Sequence, residues 1–65
     1  MDRLLLITPD RRWRVCASAR KAGLFDLIEV QPNRHTFTHL EAATLLDVVN
    51  FLEDHGVDAE TLEKA

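Results

Sequence analysis

The chain has 65 residues, a net charge of -3 and a single cysteine, Cys16. A domain of this length buries only about 60% of the surface of its unfolded chain, so it usually needs a further source of stability. A lone cysteine excludes an internal disulfide, and no cysteine and histidine cluster offers a structural metal site. The longest apolar run is residues 4–7, far short of a membrane span. We therefore expect one cytoplasmic domain over residues 1–65 that binds no membrane and gains stability by self-association.

The charge is distributed unevenly along the chain. Residues 1–38 carry seven basic and four acidic side chains, a net charge of +3, whereas residues 39–65 carry one basic and seven acidic side chains, a net charge of -6. Such asymmetry is typical of a nucleic-acid-binding face, and equally of two subunits or partners that meet through opposite charges.

The first predicted element is a strand at residues 4–7, because a short continuous apolar run is typical of a strand buried on both faces. The Thr-Pro-Asp sequence at residues 8–10 then combines a capping side chain, a proline suited to the first helical position and an acidic residue. Gly23 is a typical helix stop. These signals predict a helix over residues 9–22.

A strand is the alternative for residues 12–20, because apolar and polar residues alternate there without interruption. One face would carry Trp13, Val15, Ala17 and Ala19, and the other Arg12, Arg14, Cys16, Ser18 and Arg20. We favour the helix, since the stretch Ala-Ser-Ala-Arg-Lys-Ala has low strand propensity. The strand interpretation would give a three-stranded antiparallel meander under one long helix.

The second half of the chain predicts a strand followed by the longest helix. Residues 24–30 are rich in strand formers and precede the breaker pair Pro-Asn. Thr38 and Glu41 have the spacing of a capping box, which predicts a helix that continues to a stop at Gly56. Asp58 is expected to cap a short final turn.

The predicted fold is therefore an α/β unit of the order βαβα, with two parallel strands and two helices. Apolar residues cover more than half of the circumference of the long helix, which exceeds what so small a sheet can cover. We therefore expect a homodimer that completes the sheet. Its interface residues are predicted to be Leu45, Val49, Phe51 and Leu52, with Trp13 as an anchor.

This order of elements resembles the C-terminal half of STAS domains, the family of anti-sigma-factor antagonists and of the cytoplasmic tails of sulphate transporters. The segments that carry the resemblance are Leu4 to Ile7 with Thr8-Pro9, Ala22-Gly23-Leu24, Leu27 to Val30, and Glu41-Ala42-Ala43. The resemblance implies a non-catalytic, regulatory protein-interaction module. The family's N-terminal half and its phosphoserine loop have no counterpart here, and the only serine, Ser18, falls within the predicted helix.

The basic residues of the first half are the strongest candidates for a functional surface. They are Arg11, Arg12, Arg14, Arg20 and Lys21, with Ser18 among them. On the predicted helix Arg11, Arg14 and Lys21 share one face, which could contact a protein partner or neutralise phosphates in a small DNA-binding protein. We expect no enzyme, no cofactor and no metal, since the sequence shows no recognisable catalytic base for Cys16 and no glycine-rich phosphate loop.

Overall fold

The computed structural model describes residues 3–65. Five antiparallel strands form one sheet in the order β4-β3-β2-β1-β5, and one α-helix packs against it. The elements are β1 (Arg3–Ile7), β2 (Trp13–Ala17), β3 (Phe25–Val30), β4 (Thr36–Ala43), α1 (Leu45–Asp54), a short 3-10 turn (Ala59–Thr61) and β5 (Glu63–Lys64).

The helix predicted over residues 9–22 is wrong. Its centre is β2, which pairs with β1 on one side, where Leu6 lies opposite Val15, and with β3 on the other, where Leu27 lies opposite Val15. Two flanking strands give β2 partners for its backbone groups, and this tertiary pairing outweighs the local helix signals. Gly23 does adopt a left-handed conformation, with φ 83°, but in the connection from β2 to β3.

The βαβα unit with two parallel strands is wrong for the same reason. Every strand pair in the sheet is antiparallel, and β1 and β3 are separated by β2 rather than joined to each other. The alternative prediction, a meander with one helix, fits the structure. The meander has four consecutive strands, and β5 adds a short fifth strand at the edge beside β1.

The long helix begins later than predicted. Thr38 and Glu41 lie in β4 and form no capping box. The helix is capped instead by Thr44, whose side-chain oxygen accepts a hydrogen bond from the Asp47 amide at 3.2 Å. Gly56, with φ 75°, follows the end of α1 as predicted. The predicted cap at Asp58 is confirmed, because its carboxylate accepts from the Glu60 amide at 3.0 Å at the start of the 3-10 turn.

The core lies on one face of the sheet, beneath α1. It consists of Trp13, Val15, Leu27, Val48 and Leu52. Residues directly opposite each other in antiparallel strands share a face, so Ile7, Arg14 and Ile28 lie together on the other side. The second face also carries Cys16 and Asp26, which lie opposite each other and are 6% and 9% exposed. No helix within residues 3–65 is long and apolar enough to cross a membrane.

Candidate functional site

The turn between β1 and β2, together with the start of β2, brings three arginines to the mouth of a concave surface. This cavity has a volume of about 490 Å³ and opens at one end of the sheet. We call it the arginine pocket; its lining residues are Asp10, Arg11, Arg12, Arg14, Val30, Gln31 and Pro32. Three of the predicted contact residues are thus brought together.

A network of short hydrogen bonds holds this turn in shape. The buried Thr8 hydroxyl donates to the Asp10 carboxylate at 2.6 Å and accepts from the Trp13 amide at 3.0 Å. The Arg12 amide donates to the same Asp10 oxygen at 3.0 Å. These two bonds, from Thr8 first and from the Arg12 backbone second, lower the pKa of Asp10. Asp10 is therefore ionised at neutral pH and braces the turn.

The other predicted contact residues lie at the opposite end of β2. Ser18, Arg20 and Lys21 belong to the connection from β2 to β3, where the Ser18 hydroxyl accepts from the Arg20 amide at 3.1 Å. Arg20 forms an exposed ion pair with Glu41 at 3.3 Å. The predicted basic face is therefore divided, because a strand separates residues that a helix would have placed on one side.

A buried carboxylate that sequence reasoning missed lies behind the arginine pocket. Glu29 is 9% exposed and points to the core side of β3, opposite Trp13. One of its oxygens contacts Nε2 of His39 at 2.9 Å, and the other accepts from Nε of Arg12 at 2.7 Å. The bond from His39 first, and that from Arg12 second, lower the pKa of Glu29. The detectable signal was the alternation Phe25, Leu27, Glu29, which places a charge on a core-facing position that requires partners.

Aromatic rings surround His39 on the side of α1. The His39 ring lies 5.3 Å from Trp13 and 5.2 Å from Phe51, and Phe51 stacks on His55 at 4.2 Å between ring centres. His39 lies in β4, and the exposed His35 lies in the connection from β3 to β4. No group of three or more potential metal ligands occurs within residues 3–65.

The predicted interface residues divide into core and surface positions. Leu52 is fully buried and Trp13 is 4% exposed, so both belong to the chain's own core. Phe51 and Val49 are half-buried, whereas Leu45 is 45% exposed. Sequence reasoning did not include Leu46 in the interface, although it is 67% exposed.

Leu45, Leu46 and Val49 form a continuous apolar strip along one side of α1, beside the core-facing Val48 and Leu52. The strip follows from helix geometry, since residues three and four apart are neighbours on the helix surface. We call it the helix strip. It offers an exposed apolar surface at the start of α1.

No protein-family model, no curated protein and no solved structure matches the chain. Its function is therefore inferred from its own residues and their geometry.

Proposed function

We propose that the protein is a non-enzymatic protein-interaction module that acts as a homodimer through the helix strip. The observation that carries this proposal is the exposure of two consecutive leucines, Leu45 and Leu46, at the start of α1. Clustered apolar surface of this kind is typical of an interface. We also propose the cytoplasm as its compartment and regulation as its role.

A second copy is the proposed occupant because the charges around the helix strip complement one another. Glu53 and Asp54 are exposed on α1. Arg3 lies opposite Ala17, and Lys64 opposite Leu6, so both basic side chains belong to the side of the sheet that carries α1. Among the strands, the backbone of α1 lies near β3 and β4, and β1 and β5 are further from it. A two-fold axis would set the acidic helix of each copy against the basic strands of the other.

The small core supports the same proposal. Five residues form it, and a 65-residue chain has few others to add. Removing a leucine side chain from water contributes about 1.5–3 kcal/mol when burial is complete. Covering the helix strip would therefore add stability where a small domain lacks it.

The arrangement around Glu29 supports a non-enzymatic role. Both carboxylate oxygens are engaged, one by His39 and the other by Arg12. The His39 ring in turn packs between Trp13 and Phe51. A carboxylate and a histidine held in this way stabilise the sheet rather than present a reactive group to a substrate.

A DNA-binding role is the weaker proposal. Arg11, Arg12 and Arg14 lie at one end of β2, and Arg20 and Lys21 at the other, so they form no continuous phosphate-binding track. Arg12 and Arg20 are already paired with carboxylates. A gel shift on mixed-sequence DNA tests this role, since phosphate-driven binding weakens steeply with added salt.

Sedimentation equilibrium with a matched pair of variants tests the homodimer. The wild-type protein should have twice the 7.4 kDa mass of one chain at micromolar concentration. Leu46→Glu should be a folded monomer, because the substitution adds a charge at the most exposed residue of the helix strip. Ala22→Glu is the control, since the exposed Ala22 lies in the connection from β2 to β3, outside the strip, and this variant should remain dimeric.

A wild-type protein that is monomeric throughout the concentration range would contradict the homodimer. Dissociation by both substitutions would place the interface elsewhere. Far-ultraviolet circular dichroism distinguishes a folded monomer from an unfolded chain.

A further inference from the structure

The arginine pocket contains two arginines, Arg11 and Arg14, that make no ion pair within residues 3–65. We propose that it binds the phosphate group of a phosphoserine or phosphothreonine in a partner peptide. This proposal is independent of the homodimer, because the two surfaces share no residue.

The pocket is built on a rigid frame. Besides the bonds within the turn, the Arg11 amide donates to the Thr8 carbonyl at 2.8 Å, and the Val30 amide donates to the Arg12 carbonyl at 2.6 Å. Arg11 is exposed and has a positive φ of 62°, a conformation that few residues other than glycine adopt without such support. A frame that is already ordered loses little entropy when a ligand binds.

The three arginines of the pocket differ in whether they already pair with a carboxylate. Arg12 is held by Glu29, to which its Nε donates at 2.7 Å and with which one terminal nitrogen forms an ion pair at 2.6 Å. Within residues 3–65, Arg11 and Arg14 make no ion pair. The Nε of Arg14 is buried and has no hydrogen-bond partner. A buried donor without an acceptor is unfavourable, so a bound anion would satisfy it.

A phosphomonoester matches these donors better than a carboxylate does. It carries close to two negative charges and three acceptor oxygens, and planar guanidinium groups bind such oxygens in pairs. The lining residues carry three positive charges against the single charge of Asp10, one of whose oxygens is occupied by Thr8 and the Arg12 amide.

The remaining lining favours a peptide over a nucleic acid as the carrier of that phosphate. A cavity of about 490 Å³ has room for more than a phosphate group, and Val30 and Pro32 provide apolar contacts for adjoining peptide atoms. No aromatic side chain is among the described residues that line it, so unpaired bases would find no stacking surface.

Nitrogen-15 NMR titration tests the site with two probes, O-phosphoserine and an alanine pentapeptide with a central phosphoserine. Both should give saturable shifts of the Arg14 Nε–H signal and of the Arg11 and Arg12 amides. The unphosphorylated pentapeptide should give none. The pentapeptide should bind more tightly than O-phosphoserine, because it also contacts Val30 and Pro32.

Substitutions at matched positions complete the test. Arg11→Gln and Arg14→Gln should each weaken binding at least about tenfold, which corresponds to the loss of one hydrogen bond to a charged group. Arg20→Gln removes a similar charge from the other end of the sheet and should leave the affinity unchanged. Arg11 is exposed, so its variant remains informative even if Arg14→Gln disturbs the fold.

Three results would overturn the proposal. These are shifts that fail to saturate, equal loss of affinity in Arg20→Gln, and binding of a single-stranded oligonucleotide at the pocket without binding of the phosphopeptide. None of them bears on the mass measured by sedimentation, so failure of this site and failure of the homodimer are distinguishable.

Discussion

At the scale of single residues, Glu29 links the arginine pocket to the core. Its carboxylate joins Arg12, which lines the pocket, to His39, which packs against the rings beneath α1. A buried charge is stable only when it is paired. Here Arg12 contacts one oxygen of the Glu29 carboxylate and His39 contacts the other. One side chain therefore fixes both the rotamer of a pocket arginine and the position of a core histidine.

Replacing Glu29 by glutamine tests this role. We expect Glu29→Gln to lower the free energy of unfolding at pH 7 by about 1.5–3 kcal/mol, the range for hydrogen bonds to charged groups. The native pKa of Glu29 lies below its ordinary value, so its contribution is present above that value and is lost as the pH falls through the native pKa. The difference in the free energy of unfolding between Glu29→Gln and the wild type should therefore become smaller at acidic pH.

Urea unfolding at pH 7 and at pH 3, at one protein concentration, measures the change. Glu60→Gln is the control, since Glu60 is exposed, and it should have little effect at either pH. A loss of stability that stays the same in acid would show that the Glu29 charge is not responsible.

At the scale of elements, substitutions can test which threonine caps α1. Thr38 was predicted as the cap, but it lies in β4, and the cap is Thr44. We expect Thr44→Ala to lower the free energy of unfolding by about 1 kcal/mol, the typical cost of losing a capping side chain. Thr38→Ala should cost less, because the exposed Thr38 caps nothing. The reverse ranking in urea unfolding would contradict the boundary at Leu45.

At the scale of the whole molecule, stability and self-association should be coupled. If the folded chain dimerises and the unfolded chain does not, the melting temperature rises with protein concentration. We expect this rise for the wild type and its absence for Leu46→Glu. Calorimetry over a hundredfold range of concentration measures it. A melting temperature that is independent of concentration in both proteins would contradict a dimer coupled to folding.

The sequence by itself determined those features that depend on neighbouring residues. The apolar run at residues 4–7 and the strand formers at residues 24–30 predicted β1 and β3. Gly56 and Asp58 marked the end of α1 and the start of the 3-10 turn. A left-handed glycine and an Asp side chain that caps free amides act within a few residues, so local sequence is sufficient to recognise them.

Only the tertiary structure decided the features that depend on distant partners. Residues 13–17 are compatible with a helix or a strand, and β1 and β3 on either side of them select the strand. That choice also divided the basic residues between two ends of the sheet and placed Arg12 beside Glu29, 17 positions away in the chain. The periodicity of the sequence indicates which residues share one face of a strand. The pairing of strands decides which residues of different strands become neighbours, and the arginine pocket depends on that pairing.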